Sequence, residues 1–248
     1  MKFSEILSIT VISALMLINQ VSFAQFEGEI NMNMYRYNDS VLSGTTVLDL
    51  YVTKERMFFK GENSINLLNG LIETNGILIR SDVNDFVIMT GQKEALQFTK
   101  AELEGTFPLI SMLSNVSNAQ ANVNFEYTNE VRTIQGFKAS ELRVQNENDD
   151  GYISIWLNDE IDINWGILSE SWSNVPASYS DLVEKMGQEL KSQKLPMQVQ
   201  ITNGAETKTL LEVTEIRTSR IAKDMVEMPV GLQFIGLQKM IMKAMMGN

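Results

Sequence analysis

The sequence predicts an α+β protein dominated by an antiparallel sheet, and three observations carry that prediction. The first is the stretch 134–165, where two β-type runs at 137–144 and 152–157 flank the polar NENDDG. Asn, Asp and Gly accept left-handed or side-chain-bonded turns, so a polar knot between apolar runs reads as a hairpin. The second is that such hairpins recur, with Asn203-Gly204 among the strongest short turn signals in the chain. The third is that helical periodicity is confined to a few segments, near 100–113, 180–191 and 232–246.

The elements follow in order. Residues 25–37 alternate, with Ile30, Met32 and Met34 on one face and Glu29, Asn31 and Asn33 on the other, the period of a half-buried strand. NDSVLSG reads as a turn, and 45–53 and 56–60 as strands about Lys54 and Glu55. Residues 64–74 suit a short helix or a strand equally. Strands at 77–80 and 86–90 flank SDVND, and a short one follows at 95–99. Thr99 then caps a helix from Lys100, with Glu102 and Glu104 near its positive end. Its stripe is Leu103, Phe107, Ile110 and Leu113, and Gly105 and Pro108 predict a break into two turns. Strands at 123–127 and 130–134 lead into the 137–157 hairpin. SESWSNVPASYS is loop, and Ser180 caps a helix over 180–191 carrying Leu182, Val183, Met186 and Leu190 inward. LPMQVQITNG and TKTLLEVTEIRT form another hairpin, and 232–246 predicts an apolar C-terminal helix. With no repeat, low-complexity tract or long linker, residues 25–248 are expected to form one domain.

The first 24 residues have the pattern of a secretory signal: Lys2, an apolar run from Ile6 to Ile18, then Ser22 and Ala24 before a cleavage point at Gln25. The run is short for a bilayer span, and no Cys follows it for lipid attachment, so a periplasmic or secreted protein with no membrane span after cleavage is expected. A net charge of −11 and a pI near 4.6 argue against nucleic acid as a partner and against binding anionic lipid surfaces by charge. The chain has no Cys and no His. That removes disulfides, thiol nucleophiles, Ser-His-Asp chemistry, and zinc or haem held by imidazole or thiolate. No cofactor and no enzymatic activity are expected.

Candidate sites are weighed against ordinary structural roles. NENDDG resembles the start of a calcium loop, but its twelfth position is Leu157, where a bidentate acid is required, and its flanks are strands. Asp159, Glu160 and Asp162 form an acidic cluster of the kind glycoside hydrolysis uses only when one carboxyl is buried and a cleft separates the pair. Residues so close together read as solvated. Trp156, inside a strand, reads as core, whereas Trp165 and Trp172 lie in looser sequence and suit a ligand-lining role as well. Methionine is concentrated toward the end of the chain, at Met225, Met228, Met240, Met242, Met245 and Met246, and suits adaptable apolar surfaces.

Ile134-Gln135-Gly136-Phe137-Lys138-Ala139 followed by Ile155-Trp156-Leu157 resembles the central signature of a family of secreted bacterial proteins classed as a domain of unknown function. Leu195-Pro196-Met197, the run 211–216 and Met228-Pro229-Val230-Gly231 resemble its later strands and its end. These proteins are similar in architecture to the lipoprotein carriers LolA and LolB. The resemblance implies a strongly curved antiparallel sheet, a half-barrel, with helices over its concave side; it brings no catalytic residues.

The leading expectation is a non-enzymatic envelope protein holding a hydrophobic ligand, a lipid or acyl chain, with Trp156, Trp165, Trp172, Met186 and Phe234 as lining candidates. Its rivals are an envelope interaction or structural module docking on a partner protein or membrane surface through the C-terminal apolar helix, and a hydrolase using 159–162.

Overall fold

A computed structural model describes residues 25–38, 40–67, 72–90, 93–113, 123–146, 150–236 and 239. The strands are β1 (Gly28–Asn38), β2 (Val41–Val52), β3 (Arg56–Leu67), β4 (Ile72–Arg80), β5 (Asp85–Met89), β6 (Glu94–Thr99), β7 (Val123–Ile134), β8 (Phe137–Asn146), β9 (Tyr152–Asn158), β10 (Leu195–Asn203), β11 (Glu206–Thr218) and β12 (Gln233–Ile235). All twelve form one sheet in the order β12-β6-β5-β4-β3-β2-β1-β11-β10-β9-β8-β7, which does not close into a barrel. Every pairing is antiparallel except β12 with β6. The sheet is two meanders, β1–β6 and β7–β11, joined along one seam where Gly28–Met34 pairs with Leu211–Thr218. The described residues hold two α-helices, α1 (Lys100–Leu113) and α2 (Ala177–Lys191), so the protein is sheet-dominated rather than an even α+β mixture.

Local chemistry explains the turns. Ile134 faces Phe137 across Gln135 and Gly136, both at positive φ (50° and 84°), as a two-residue hairpin turn matching strand twist requires. In the β10–β11 turn Asn203 pairs with Glu206, so the central pair is Gly204-Ala205 rather than Asn203-Gly204, with Gly204 at φ 58°. Asn158 ends β9 by accepting the amides of Glu160 and Ile161 on its side-chain oxygen and donating to the Lys138 carbonyl.

Several expectations are corrected. Val41 pairs with Asn38, so most of NDSVLSG belongs to β2. β3 and β4 extend to Leu67 and from Ile72, which gives the ambiguous 64–74 stretch strand at both ends. β7 is one strand, with its irregularity between Tyr127 and Val131. Pro108 does not split α1. α2 begins three residues early, after Pro176; the ring fixes φ for helix entry, and the Ser180 hydroxyl donates inside the helix to the Ala177 carbonyl. The C-terminal helix expected from 232 does not begin there: Gln233–Ile235 is strand, satisfying backbone groups on the otherwise bare edge of β6. Residues 237–238 and 240–246 of that segment, the 1–24 leader and the centre of NENDDG lie outside the described residues.

Strand alternation gives the sheet two distinct faces. One carries Ile30, Met32, Leu48, Leu50, Met57, Ile79, Phe86, Ile88, Leu96 and Phe98, covered by Ile163, Trp165 and Ile167 from the segment after β9. Both helices lie on this face. α1 packs Leu103 against the main cluster, and α2 sets Leu182 and Met186 on Leu142, Val144, Ile155 and Leu157. On the opposite face, near β4–β6, Ile221, Val226, Met228 and Leu232 cover Leu78, Val87 and Ala95.

Candidate ligand-binding face

Register sets a row of apolar side chains across the helix-bearing face. Leu142 opposes Ile155, Ile155 opposes Val199, Val199 opposes Leu211, and Leu211 opposes Met34, so one line crosses β8, β9, β10, β11 and β1. Beside it Val144, Ile153 and Ile201 form a second, shorter line. Leu142 and Ile155 are buried under α2, whereas Val199, Leu211 and Met34 are only partly covered. The row thus runs out from beneath α2 onto a half-covered apolar strip.

A buried ionic cluster fastens α2. Glu189, 4% exposed, accepts from Lys194 at 2.7 Å, Lys185 at 3.0 Å and the Tyr127 hydroxyl. Lys194 also donates to the Tyr127 oxygen at 2.5 Å, so edge strand β7, the end of α2 and the start of β10 are bound together. Burial alone would push the Glu189 carboxyl up; the donors from Lys194, Tyr127 and Lys185 outweigh it and hold the carboxyl below its ordinary value. Burial and the neighbouring Glu189 push the Tyr127 hydroxyl up.

α1 is tied to the loop before α2 by its own proline. Pro108 has no N–H to offer the Glu104 carbonyl one turn back, and that carbonyl instead accepts the Asn174 side-chain amide at 3.4 Å. The Glu104 carboxylate accepts the Ser173 amide at 2.7 Å. The helix start is a capping box, in which Glu102 accepts the Thr99 amide at 2.8 Å and Thr99 accepts the Glu102 amide at 3.3 Å. Between α1, α2 and residues 169–175 lies a cavity of about 760 Å³.

The face opposite the helices is polar over β7–β10. Arg132 lays its guanidinium 3.4 Å from the Trp156 ring centre and donates to Gln198 at 2.6 Å and Gln200 at 3.1 Å. Glu141 is buried there, accepting from Ser154, from Thr128 at 2.7 Å and from Arg143 at 2.9 Å; these outweigh the effect of burial and lower its pKa. This is a structural network with every carboxylate oxygen engaged.

The structure does not gather the five lining candidates at one cavity, although Trp156 and Trp165 belong to the main buried cluster and Trp172 packs against it. Trp156 lies on the polar-network face beneath Arg132, 4% exposed. Trp165 is 6% exposed and donates its indole N–H to the Lys194 carbonyl at 3.0 Å. Trp172 is half-buried beside Phe86 and Phe107 and borders the 760 Å³ cavity. Met186 packs beneath α2 on the sheet, and Phe234, 48% exposed, borders a smaller cavity of about 320 Å³ at the β6–β12 corner. Asp159 and Glu160 are exposed, and no cluster of acidic residues suited to a metal occurs among the described residues. Sequence reasoning missed Val199, Leu211 and Met34 as a unit, because alternation reveals a strand's face but not which strand lies alongside. It also missed Glu189, whose one local signal is the i,i+4 spacing from Lys185.

No protein-family model matches the sequence, and no curated protein matches it. Among solved structures, PNGF-II is similar at a TM-score of 0.45 and 11% identity, over 88% of this chain and 33% of that one. The chain thus spans about a third of the PNGF-II chain it matches. An uncharacterized conserved protein from Thermus thermophilus is similar at 0.43 and 9% identity, over 90% of this chain and 99% of that one. A LolA superfamily protein from Nitrosomonas europaea is similar at 0.32 and 8% identity, over 84% and 93%. A LolA superfamily protein is thus among the similar structures, at low identity, and the likeness to a domain-of-unknown-function family finds no matching model. No helix among the described residues is long and apolar enough to cross a membrane.

Proposed function

We propose that this is a non-enzymatic binding protein of the periplasm or cell exterior, exported by its 1–24 leader, that holds a lipid or acyl chain against the helix-bearing face. The observation that supports it is the apolar row continuing from beneath α2 onto partly covered Val199, Leu211 and Met34. Full burial of one such side chain is worth about 1.5–3 kcal/mol, so an alkyl chain completing the cover of all three gains on the order of a few kcal/mol. α2, fastened at Glu189, forms one wall of the strip.

Native mass spectrometry of the protein from a secreting host, with solvent extraction, tests the reading. The expected result is a reproducible lipid-sized adduct that disappears in Leu211→Asp while circular dichroism still reports the sheet. An adduct-free protein that stays empty after incubation with envelope lipids overturns it.

A further inference from the structure

We propose that the cavity between α1, α2 and residues 169–175 is a separate site for a neutral, hydroxyl-rich ligand, a sugar of about disaccharide size. Its volume, about 760 Å³, falls within the usual range for small-molecule sites. Its lining is unlike the apolar row. Ser171, Asn174 and Gln188 supply hydroxyl and amide groups that both donate and accept, and the Ser169 and Ser180 hydroxyls, which donate to the Gly166 and Ala177 carbonyls, present acceptor oxygens. The charged lining residues balance, Lys100 and Lys191 against Glu170 and Glu184, in a protein whose net charge is −11. Lys100 is engaged by Glu170 at 3.0 Å and Glu104 at 3.7 Å. A site balanced in this way favours a polar ligand without net charge.

Trp172 supplies the apolar surface. Its indole is fixed by Phe86 at 5.9 Å and Phe107 at 6.0 Å between ring centres, with the Lys100 ammonium 5.6 Å above the ring. The C–H face of a sugar ring carries partial positive charge and packs on the negative face of an indole, while its hydroxyls satisfy the surrounding polar groups.

Gly187 points to the same place independently. It lies inside α2, where glycine costs about 1 kcal/mol relative to alanine, and it lines the cavity. A Cβ placed there would meet only the Glu170 carbonyl, at an ordinary 3.7 Å. Packing therefore does not demand glycine; its effect is to leave the cavity free of a side chain.

The test is saturation-transfer NMR of the purified full chain with maltose, cellobiose and N,N′-diacetylchitobiose, alongside tryptophan fluorescence. At least one sugar should show transfer and shift the emission. Gly187→Met should weaken binding at least tenfold, and Trp172→Ala likewise. Gly187→Ala should keep binding and raise the melting temperature. If Gly187→Met does not fold, Gln188→Trp fills the cavity from the same helix. No transfer from any of the three sugars overturns the proposal, as does binding that survives the cavity-filling variant. Leu211→Asp should leave sugar binding intact, so this site and the apolar strip fail or stand separately.

Discussion

Glu189 and Arg132 show how single side chains set the order of the fold. Glu189 is buried at the cost of its hydration, and three donors offset that cost. Because its folded pKa lies below the ordinary 4.5, its contribution is fully present above that value and is lost as pH falls through the depressed one. Hydrogen exchange in α2 should accelerate below about pH 4 in the native protein, and Glu189→Gln should remove that part of the pH dependence while costing about 1–3 kcal/mol at neutral pH. An α2 exchange profile identical in both proteins from pH 3 to 7 would sink this account. Arg132 shields Trp156 from water and stacks on its face. Arg132→Ala should shift tryptophan emission to the red and cost about 1–2 kcal/mol; unchanged emission would mean that other groups exclude the solvent.

At the scale of elements, α1 and α2 depend on the loop between them as much as on their own propensities. Replacing Pro108 by Ala supplies the missing N–H to the Glu104 carbonyl. The isolated helix should gain, but Asn174 loses its acceptor, so the 169–175 loop should exchange amide protons faster even as the melting temperature holds or rises. A slower-exchanging loop would contradict the linkage. Most strands were legible, because residues such as Ile30, Met32 and Met34 alternate cleanly, and Thr99 with Glu102 forms a readable helix cap. Errors fell where a partner decides the outcome. Ser180 looks like a helix start until Pro176 is seen to begin the helix earlier. Phe234 and Ile235 look helical in an apolar tail, yet they pair with Ala95 and Leu96 on a distant edge. Trp172 was legible as an unusual loop aromatic, whereas the apolar row was not, since no local pattern records that β1 lies beside β11.

For the whole molecule, an open sheet must protect two edges. β7 carries an irregularity between Tyr127 and Val131, which breaks the regular backbone ladder that a second chain could extend. The other edge is capped by β12, only three residues long. Ending the chain after Gly231 should uncover the β6 edge, raise light scattering at high concentration and lower the melting temperature. A truncated protein as monomeric and as stable as the native one would show that β12 protects nothing.

The seam between β1 and β11 bears on how the molecule is made. A chain delivered from its N-terminus can complete the first meander early, but β1 finds its second neighbour only after residues 211–218 have emerged. Until then Ile30 and Met32 sit on a strand with a bare flank, and the first half of the protein is a sheet with an adhesive border. The interval between synthesis of residue 28 and residue 218 is the period in which this border needs a chaperone, or speed.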